Sequence, residues 1–160
     1  HKMDPLCKLA FLAFETLDQN ENFRSRYKSE NIALVFFNKH ASLHTDLQHQ
    51  KSIISDENYF PSPAVFVYTL ANIMLGEIAI KYKIKGENAC FTSEFFSSKQ
   101  FLQYCNSLFS KGQTNCIIGG WVDFFENNYA THLLCIENTT GGQGTLPFDQ
   151  SSLNKLFSNQ

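Results

Sequence analysis

Residues 84–121 constrain what this chain can fold into more than any other stretch. A glycine turn leads into a short apolar run at residues 89–92, and a polar break follows at Ser93. Apolar side chains then recur at helical spacing up to a Lys-Gly stop, and a second apolar run ends in Gly119 and Gly120. This order predicts one βαβ unit, made of a strand, an elbow, a helix, a turn and a second strand. Many enzymes place a nucleophile at such an elbow, so the residue found there decides the functional interpretation.

Length and composition exclude several classes of protein. With 160 residues, the chain is long enough for one domain with a core and too short to expect two. Hydrophobic residues make up 43% and include sixteen Phe, which excludes a disordered chain and suggests extra apolar surface for a partner. The formal charge of −2 provides no field for nucleic acid.

The cysteines and the hydropathy of the sequence indicate the cellular compartment of the protein. The five Cys form no CxxC pair and lie inside apolar runs, which is typical of reduced, buried thiols. No apolar stretch approaches the length of a membrane span, and the first residues show no signal-peptide pattern. We therefore expect a cytoplasmic protein without a membrane span.

Two further apolar runs, at residues 32–37 and 131–137, predict two more strands. The first run has the continuous pattern of a strand covered on both faces. Asp4 and Pro5 are typical of a helix start, with Asp4 as the cap and Pro5 at the first helical position. Residues 41–54 are interpreted as a solvent-facing helix or a partly ordered excursion, and a short final helix is predicted at residues 151–157.

The longest helical pattern spans residues 64–82 and is apolar nearly all round. We expect a single helix that is buried deeply or against another subunit. Gly76 inside it costs about 1 kcal/mol relative to Ala, which predicts a close packing contact at that position. Residues 122–128, rich in Phe and Asn, are predicted to form a loop.

An ordered set of motifs in residues 60–121 resembles the N-terminal half of a β-ketoacyl synthase, a condensing enzyme of the thiolase fold. The resemblance extends more weakly to residues 1–6, which are similar to the basic-Met-Asp entry of the family's first long helix. No single motif is diagnostic, and the order and spacing of the set carry the resemblance. The matching residues are Ser62, Pro63, Asn72 and Gly76 in the helix before the family's Gly-Pro turn, Ile84, Lys85 and Gly86 at that turn, where Glu87 replaces the usual proline, and Leu108, Gly112, Gly119 and Gly120 at its Leu-x-x-x-Gly and Gly-Gly ending.

The resemblance implies that residues 1–160 form a single ketosynthase N-terminal-like domain. Its class is α/β, a thiolase-like half with a mostly parallel five-stranded sheet and helices on both faces. A first strand could lie upstream of His1, because the chain reaches its first helix almost at once. In the family, the strand before the elbow pairs antiparallel with the same strand of a partner. The residues predicted at this partner interface are Phe66, Tyr68, Ala89, Cys90, Phe91 and Thr92.

The same resemblance places no nucleophile at the elbow. A ketosynthase carries its Cys there in a Thr-Ala-Cys setting, and the N-terminus of the next helix favours the thiolate. Anchored on the flanking glycines without a gap, that tripeptide falls on Ser93, Glu94 and Phe95. A one-residue slip offers Glu94 or Phe96, and neither Glu nor Phe can form the acyl thioester. The resemblance thus implies a vestigial site without catalytic residues, in a chain that is not an enzyme by itself.

Two alternatives stay open at this point. One is a small acyl-transfer or condensing enzyme that uses Cys90 or Cys105, although both thiols fit the pattern of buried structural cysteines. The other is a homodimeric scaffold with no role in an acyl tunnel. A condensing enzyme also needs a pair of basic residues, and His132 is interpreted as a core or edge residue of a strand.

Ketosynthase-like proteins without the Cys are found as chain length factors, which pair with an active ketosynthase. This sequence is most similar to a shortened version of such a subunit, in polyketide, aryl-polyene or fatty-acid-like biosynthesis. The resemblance implies a heterodimer in which Phe95 and Phe96 plug the vestigial site. Phe66 or Tyr68 would then reach toward the partner's acyl tunnel.

Two further groups of side chains, one of lysines and one of histidines, suggest possible binding sites. Three lysines form a small basic stripe that could dock an acyl carrier protein. Three histidines have partial ligand spacing, but no Cys or paired carboxylate joins them, so we expect no metal site and no cofactor. The lysines are Lys81, Lys83 and Lys85, and the histidines are His40, His44 and His49.

Overall fold

The computed structural model describes residues 3–54, 62–139 and 144–158. His1 and Lys2 of the opening motif and residues 60–61 of the motif set lie outside these ranges. The elements are α1 (Pro5–Glu21), α2 (Phe23–Arg26), a 3-10 turn (Ser29–Asn31), β1 (Ile32–Asn38), α3 (Leu43–Ile54), α4 (Pro63–Val67), α5 (Ile73–Tyr82), β2 (Asn88–Thr92), α6 (Ser98–Ser110), β3 (Cys116–Phe125), β4 (Asn128–Glu137) and α7 (Gln150–Leu156).

The strands form one sheet in the order β2-β1-β3-β4. β1 pairs in parallel with both β2 and β3, and β4 runs antiparallel to β3. The predicted α/β class and mostly parallel sheet are confirmed, but the described residues form four strands instead of five. The four correspond to the four apolar runs of the sequence, whereas the fifth was expected from the resemblance alone.

Helices cover both faces of the sheet, as predicted. β1 is buried at all seven positions, and its side chains alternate between two cores. Leu34 and Phe36 join the core formed with α1 and α5. Val35 and Phe37 join the core formed with α6 and α7.

Local sequence explains the start of α1. The Asp4 carboxylate accepts a hydrogen bond from the Cys7 backbone N–H at 2.9 Å, and Pro5 takes the first helical position. The predicted cap is therefore confirmed. No helix within the described ranges is both long and apolar enough to cross a bilayer.

The predicted single helix over residues 64–82 is wrong, because the chain turns between α4 and α5. The Thr69 hydroxyl donates to the Phe66 carbonyl at 2.7 Å, and the Thr69 carbonyl accepts from the Ser42 hydroxyl at 2.8 Å. Side-chain and loop partners thus replace helical hydrogen bonds at this point. Only α5 packs into the core, through Met74 and Ile78 among others.

The predicted loop at residues 122–128 is also wrong. β3 continues to Phe125 and pairs with β4 up to Asn128, which leaves a two-residue hairpin turn. Glu126 adopts a left-handed conformation in this turn, with φ of 56°. Tight hairpin turns need such positive φ values, and a sequence without Asn-Gly or Asp-Gly gives little sign of them.

Gly119 and Gly120 do not end a strand, contrary to the prediction, but lie in the middle of β3. The backbone of Gly120, with φ of 145°, runs so close to the His132 carbonyl that no side chain fits between them. At Gly119 the ring of Phe101 lies directly on the strand. The glycines therefore permit close approach of neighbouring elements.

Gly76 shows the opposite behaviour, and the predicted close contact there is wrong. A Cβ atom at Gly76 would have its nearest neighbour, Ile73 Cδ1, at 3.9 Å, which is ordinary van der Waals contact. Gly76 therefore serves as a control for Gly119.

We expect Gly119→Ala to destabilise the protein by about 1–3 kcal/mol, as overpacking does in cores. A Cβ atom there would lie 2.7 Å from the Phe101 ring and 2.8 Å from the Val35 carbonyl oxygen. Gly76→Ala should instead stabilise by about 0.5–1 kcal/mol, because a helical glycine is replaced where space exists. Urea unfolding measures both, and equal effects would contradict the close approach at Gly119.

Candidate functional site

The elbow lies between β2 and α6, where the sequence predicts it. The Ser93 N–H donates to the Asn38 carbonyl at 2.9 Å, so the chain leaves β2 beside the end of β1. The Ser93 hydroxyl donates to the Phe95 carbonyl at 2.7 Å and closes the bend. The Ser97 hydroxyl then accepts from the Gln100 N–H at 3.3 Å and caps α6. A strand, a bend and a capped helix N-terminus are therefore all present.

The two phenylalanines of the elbow have different surroundings. Phe95, the residue predicted at the vestigial nucleophile position, is 62% exposed. Phe96 packs inward: its ring stacks on Phe157 with 3.7 Å between centroids and meets the rings of Phe37 and Phe101 at 5.3 and 5.2 Å. Of the two predicted plug residues, Phe96 therefore fills the interior beside the elbow.

Phe157 brings the C-terminal end of the described chain into the site. Besides stacking on Phe96, its ring lies 4.7 Å from that of His132 on β4. His132 thus packs against an aromatic ring, in line with its interpretation as a strand residue. The sequence places Phe157 on the inner side of the last helix but gives no sign of its contact with the elbow.

Neither alternative thiol is suited to attack an acyl group. Burial raises the pKa of Cys90 to about 11 and that of Cys105 to about 12. Cys90 belongs to the core on the α1 and α5 side of the sheet, where its Sγ lies 3.5 Å from the Ala71 carbonyl oxygen. Cys105 lies on the inner face of α6 and is fully buried. Both thiols stay protonated at neutral pH, and the thiolate is the nucleophilic form.

Two of the histidines after β1, His40 and His44, have structural roles. Asp123, near the end of β3, accepts the backbone N–H groups of Lys39 and His40 and lies 2.7 Å from His40 Nδ1. His44 Nδ1 accepts the Glu126 N–H at 3.1 Å. Together they hold the β3–β4 hairpin against the loop that follows β1.

Sequence reasoning missed the pairing of His40 with Asp123. The two residues are 83 positions apart, and the predicted loop at residues 122–128 removed Asp123 from the sheet. The available signal was the order of the strands. β1 and β3 are parallel neighbours, so polar residues at their carboxyl ends meet at one edge.

The predicted partner interface divides into two parts. Ala89, Cys90, Phe91 and Thr92 lie on β2, which forms one edge of the sheet. Phe66 is 59% exposed on α4. Tyr68 is turned toward its own chain, where its hydroxyl donates to Glu77 Oε1 at 2.9 Å and burial raises its pKa to about 12.

We expect the thiols to resist alkylation by iodoacetamide near neutral pH. The pKa of a free Cys is 9.0, about two units below that of Cys90, so at equal pH the thiolate fraction of Cys90 is about 100-fold lower. The reaction rate of Cys90 should rise about tenfold per pH unit until its pKa is passed. Peptide mass spectrometry after timed labelling measures the rate, with the urea-unfolded chain as control. Fast, pH-independent labelling of Cys90 in the folded chain would contradict the assignment.

We expect Phe96→Ala to destabilise the chain by about 1–3 kcal/mol and Phe95→Ala to change stability by less than about 0.5 kcal/mol. The stacked pair of Phe96 and Phe157 should show a coupling of about 0.5–1.5 kcal/mol in a double-mutant cycle. Urea unfolding of the single and double variants measures both. Equal effects of the two elbow substitutions would show that Phe96 is not the plug.

Comparison with known proteins supports the fold. No protein-family model matches the chain, and a search of curated proteins finds no significant match. Among solved structures, the ishigamide ketosynthase/chain length factor is similar with a TM-score of 0.67 and 21% identity, over 78% of this chain and 36% of that chain. A chain of the complex of the ketosynthase ApeO with its chain length factor ApeC from Xenorhabdus doucetiae is similar with a TM-score of 0.63 and 19% identity, over 98% of this chain and 70% of that chain. The chain thus spans little more than a third of the first of these structures, and it has the fold of ketosynthase/chain length factor proteins.

Proposed function

We propose that this chain is a non-catalytic, ketosynthase-like subunit of the chain-length-factor kind. It pairs with an active β-ketoacyl synthase in polyketide, aryl-polyene or fatty-acid-like biosynthesis and shapes the acyl tunnel of that partner. The observation that carries the proposal is the elbow, which keeps a strand, a bend and a capped helix while Phe96 fills its inner side. The raised pKa values of Cys90 and Cys105 disfavour the alternative of a small acyl-transfer enzyme.

The β2 edge provides the first part of the partner surface. Its five residues, Asn88–Thr92, carry no charge, and no strand of the described ranges pairs with its outer side. An edge without lysine, proline or a bulge offers its backbone groups to another strand. A ketosynthase that adds its own strand here would satisfy these groups and extend the sheet.

An apolar segment beside β2 provides the second part. Four large side chains between α4 and the start of α5 are 37–59% exposed. The segment reaches β2 through the contact between Cys90 Sγ and the Ala71 carbonyl, so the edge and the segment form one surface. The exposed side chains are Val65, Phe66, Val67 and Leu70.

Phe66 is the residue of this surface that we assign to the partner's tunnel. It is the most exposed of the four side chains, and burial of a Phe ring contributes about 2–3 kcal/mol. Tyr68 is held by Glu77 and supports the segment from inside. The basic stripe of Lys81, Lys83 and Lys85 lies at the end of α5 and in the turn after it, and it could dock an acyl carrier protein.

We expect Phe66→Asp to weaken the complex with the ketosynthase at least about tenfold, because a charge replaces an apolar anchor. Leu12→Asp is the matched control, since Leu12 is 61% exposed on α1, away from β2. Co-expression with candidate β-ketoacyl synthases from the same genome, followed by size exclusion and titration, measures the affinity. In complexes that still form, Phe66→Ala should change the length of the product, whereas Tyr68→Phe should not.

Four outcomes would contradict the proposal. The chain could remain a monomer in the presence of the ketosynthase, or Phe66→Ala could leave product length unchanged. Stoichiometric acylation of Cys90 or Cys105 by an acyl-carrier substrate, seen by mass spectrometry, would instead establish the small enzyme. A stable homodimer that excludes the ketosynthase would establish the scaffold.

A further inference from the structure

A second surface lies at the opposite edge of the sheet from β2. A groove of about 530 Å³ runs between β4 and α7. One wall is formed by four consecutive β4 residues, Leu134 to Glu137, and the other by Leu146, Phe148, Leu153 and Leu156 among others. The elbow and the proposed ketosynthase surface do not contribute to it.

The run of consecutive residues shows that the groove faces the edge of β4. Successive side chains of a strand point to opposite faces of the sheet, so a cavity over one face would be lined by alternate residues. Leu134 and Ile136 belong to the α7 side of the sheet, whereas Cys135 packs on the α1 side. Residues from both faces of the sheet can line one groove only where the groove runs along the outer edge of β4.

That edge has free hydrogen-bonding groups. β4 pairs with β3 on its inner side, and no other strand of the described ranges pairs with its outer side. In an antiparallel strand, alternate residues direct their N–H and C=O groups away from the paired neighbour. The opposite wall is mainly but not wholly apolar: Leu153 is buried and Leu146 is 55% exposed, and Thr145 and Ser152 also line it.

This combination selects the class of ligand. An acyl chain would fill the apolar wall but would leave the backbone N–H and C=O groups of β4 without partners, and burying them unpaired is unfavourable. An extended peptide satisfies both walls, because its backbone pairs with the strand edge and alternate side chains enter the groove. A volume of about 530 Å³ is within the range of small-ligand and short-segment sites.

We propose that the groove between β4 and α7 binds an extended, uncharged peptide segment of a partner protein by strand addition to β4. The segment presents apolar side chains at alternate positions to Leu134, Ile136 and Leu153. The proposal is independent of the ketosynthase surface, since the two use opposite edges of the sheet.

The test uses the whole chain and a fluorescein-labelled peptide of alternating Val and Thr with terminal Lys residues. Its matched control is the same peptide with alternate backbone amides N-methylated, which keeps the side chains and removes the strand-pairing donors. We expect saturable binding by fluorescence polarisation below about 1 mM, at least about tenfold weaker binding of the methylated peptide, and slower hydrogen exchange in β4. Leu146→Arg should weaken binding about tenfold, because it places a charge in the groove at an exposed site where folding is unaffected. Leu12→Arg, the same change on α1, should leave binding unchanged.

Four results would overturn the proposal. The first is peptide binding that does not saturate, and the second is equally tight binding of the methylated and unmethylated peptides. The third is binding of a fluorescent fatty acid in place of the peptide, with Leu146→Arg abolishing the binding of the fatty acid. The fourth is a concentration-dependent dimer that Leu146→Arg dissociates, which would make a second copy of the chain the occupant. The Phe66→Asp variant tests only the ketosynthase surface at the β2 edge. Failure of the proposed function and failure of the peptide-groove proposal can therefore be distinguished.

Discussion

The contact between Gly119 and the ring of Phe101 determines where α6 lies on the sheet. A side chain at Gly119 would collide with that ring and with the Val35 carbonyl, so the absence of a Cβ atom lets the helix approach β3 closely. The elbow is the connection between β2 and α6, and it takes its position from this contact. Phe96 reaches the rings of Phe37 and Phe101 because the helix is held there. The packing of Phe96 beside the elbow therefore depends on Gly119 of β3, which β1 separates from β2.

The proposed non-catalytic role is consistent with what occupies the elbow. A thioester-forming Cys needs space for the acyl group and a pKa low enough to provide the thiolate. Here the space beside the elbow is occupied by Phe96 stacked on Phe157. Cys105 is buried and Cys90 is half-buried, and this desolvation shifts their pKa values upward, away from reactivity. The elbow follows directly on β2, which lies at the sheet edge.

The sequence predicts the parts of the fold that depend on local patterns. The βαβ unit, the Asp4 cap and the buried β1 follow from apolar spacing and capping chemistry, and all three are found. The single helix over residues 64–82 fails because apolar content alone does not distinguish a buried face from an exposed one. The break depends on Ser42 binding the Thr69 carbonyl, a contact between distant residues. The pair of His40 and Asp123 and the stacking of Phe157 on Phe96 were missed for the same reason. The predicted interface residues of β2 lie on the expected strand, whereas Phe66 and Tyr68 lie on α4 and at its C-terminal cap instead of on one long helix. Only the structure separates exposed Phe66 from inward-facing Tyr68.

The length of β2 bears on how a partner could be recognised there. Five residues provide few outward-facing backbone groups, and backbone pairing is nearly independent of sequence. Strand addition at β2 would therefore give orientation but little discrimination among partners. Discrimination must come from side chains, and the apolar segment around Phe66 is the part of this surface that offers them. The chain just after this segment contacts β2 through Cys90 Sγ and the Ala71 carbonyl, so in the proposed complex a partner strand on β2 would lie near the segment. Under that proposal, affinity would depend on the fit around Phe66, and a charge at that position would weaken the complex.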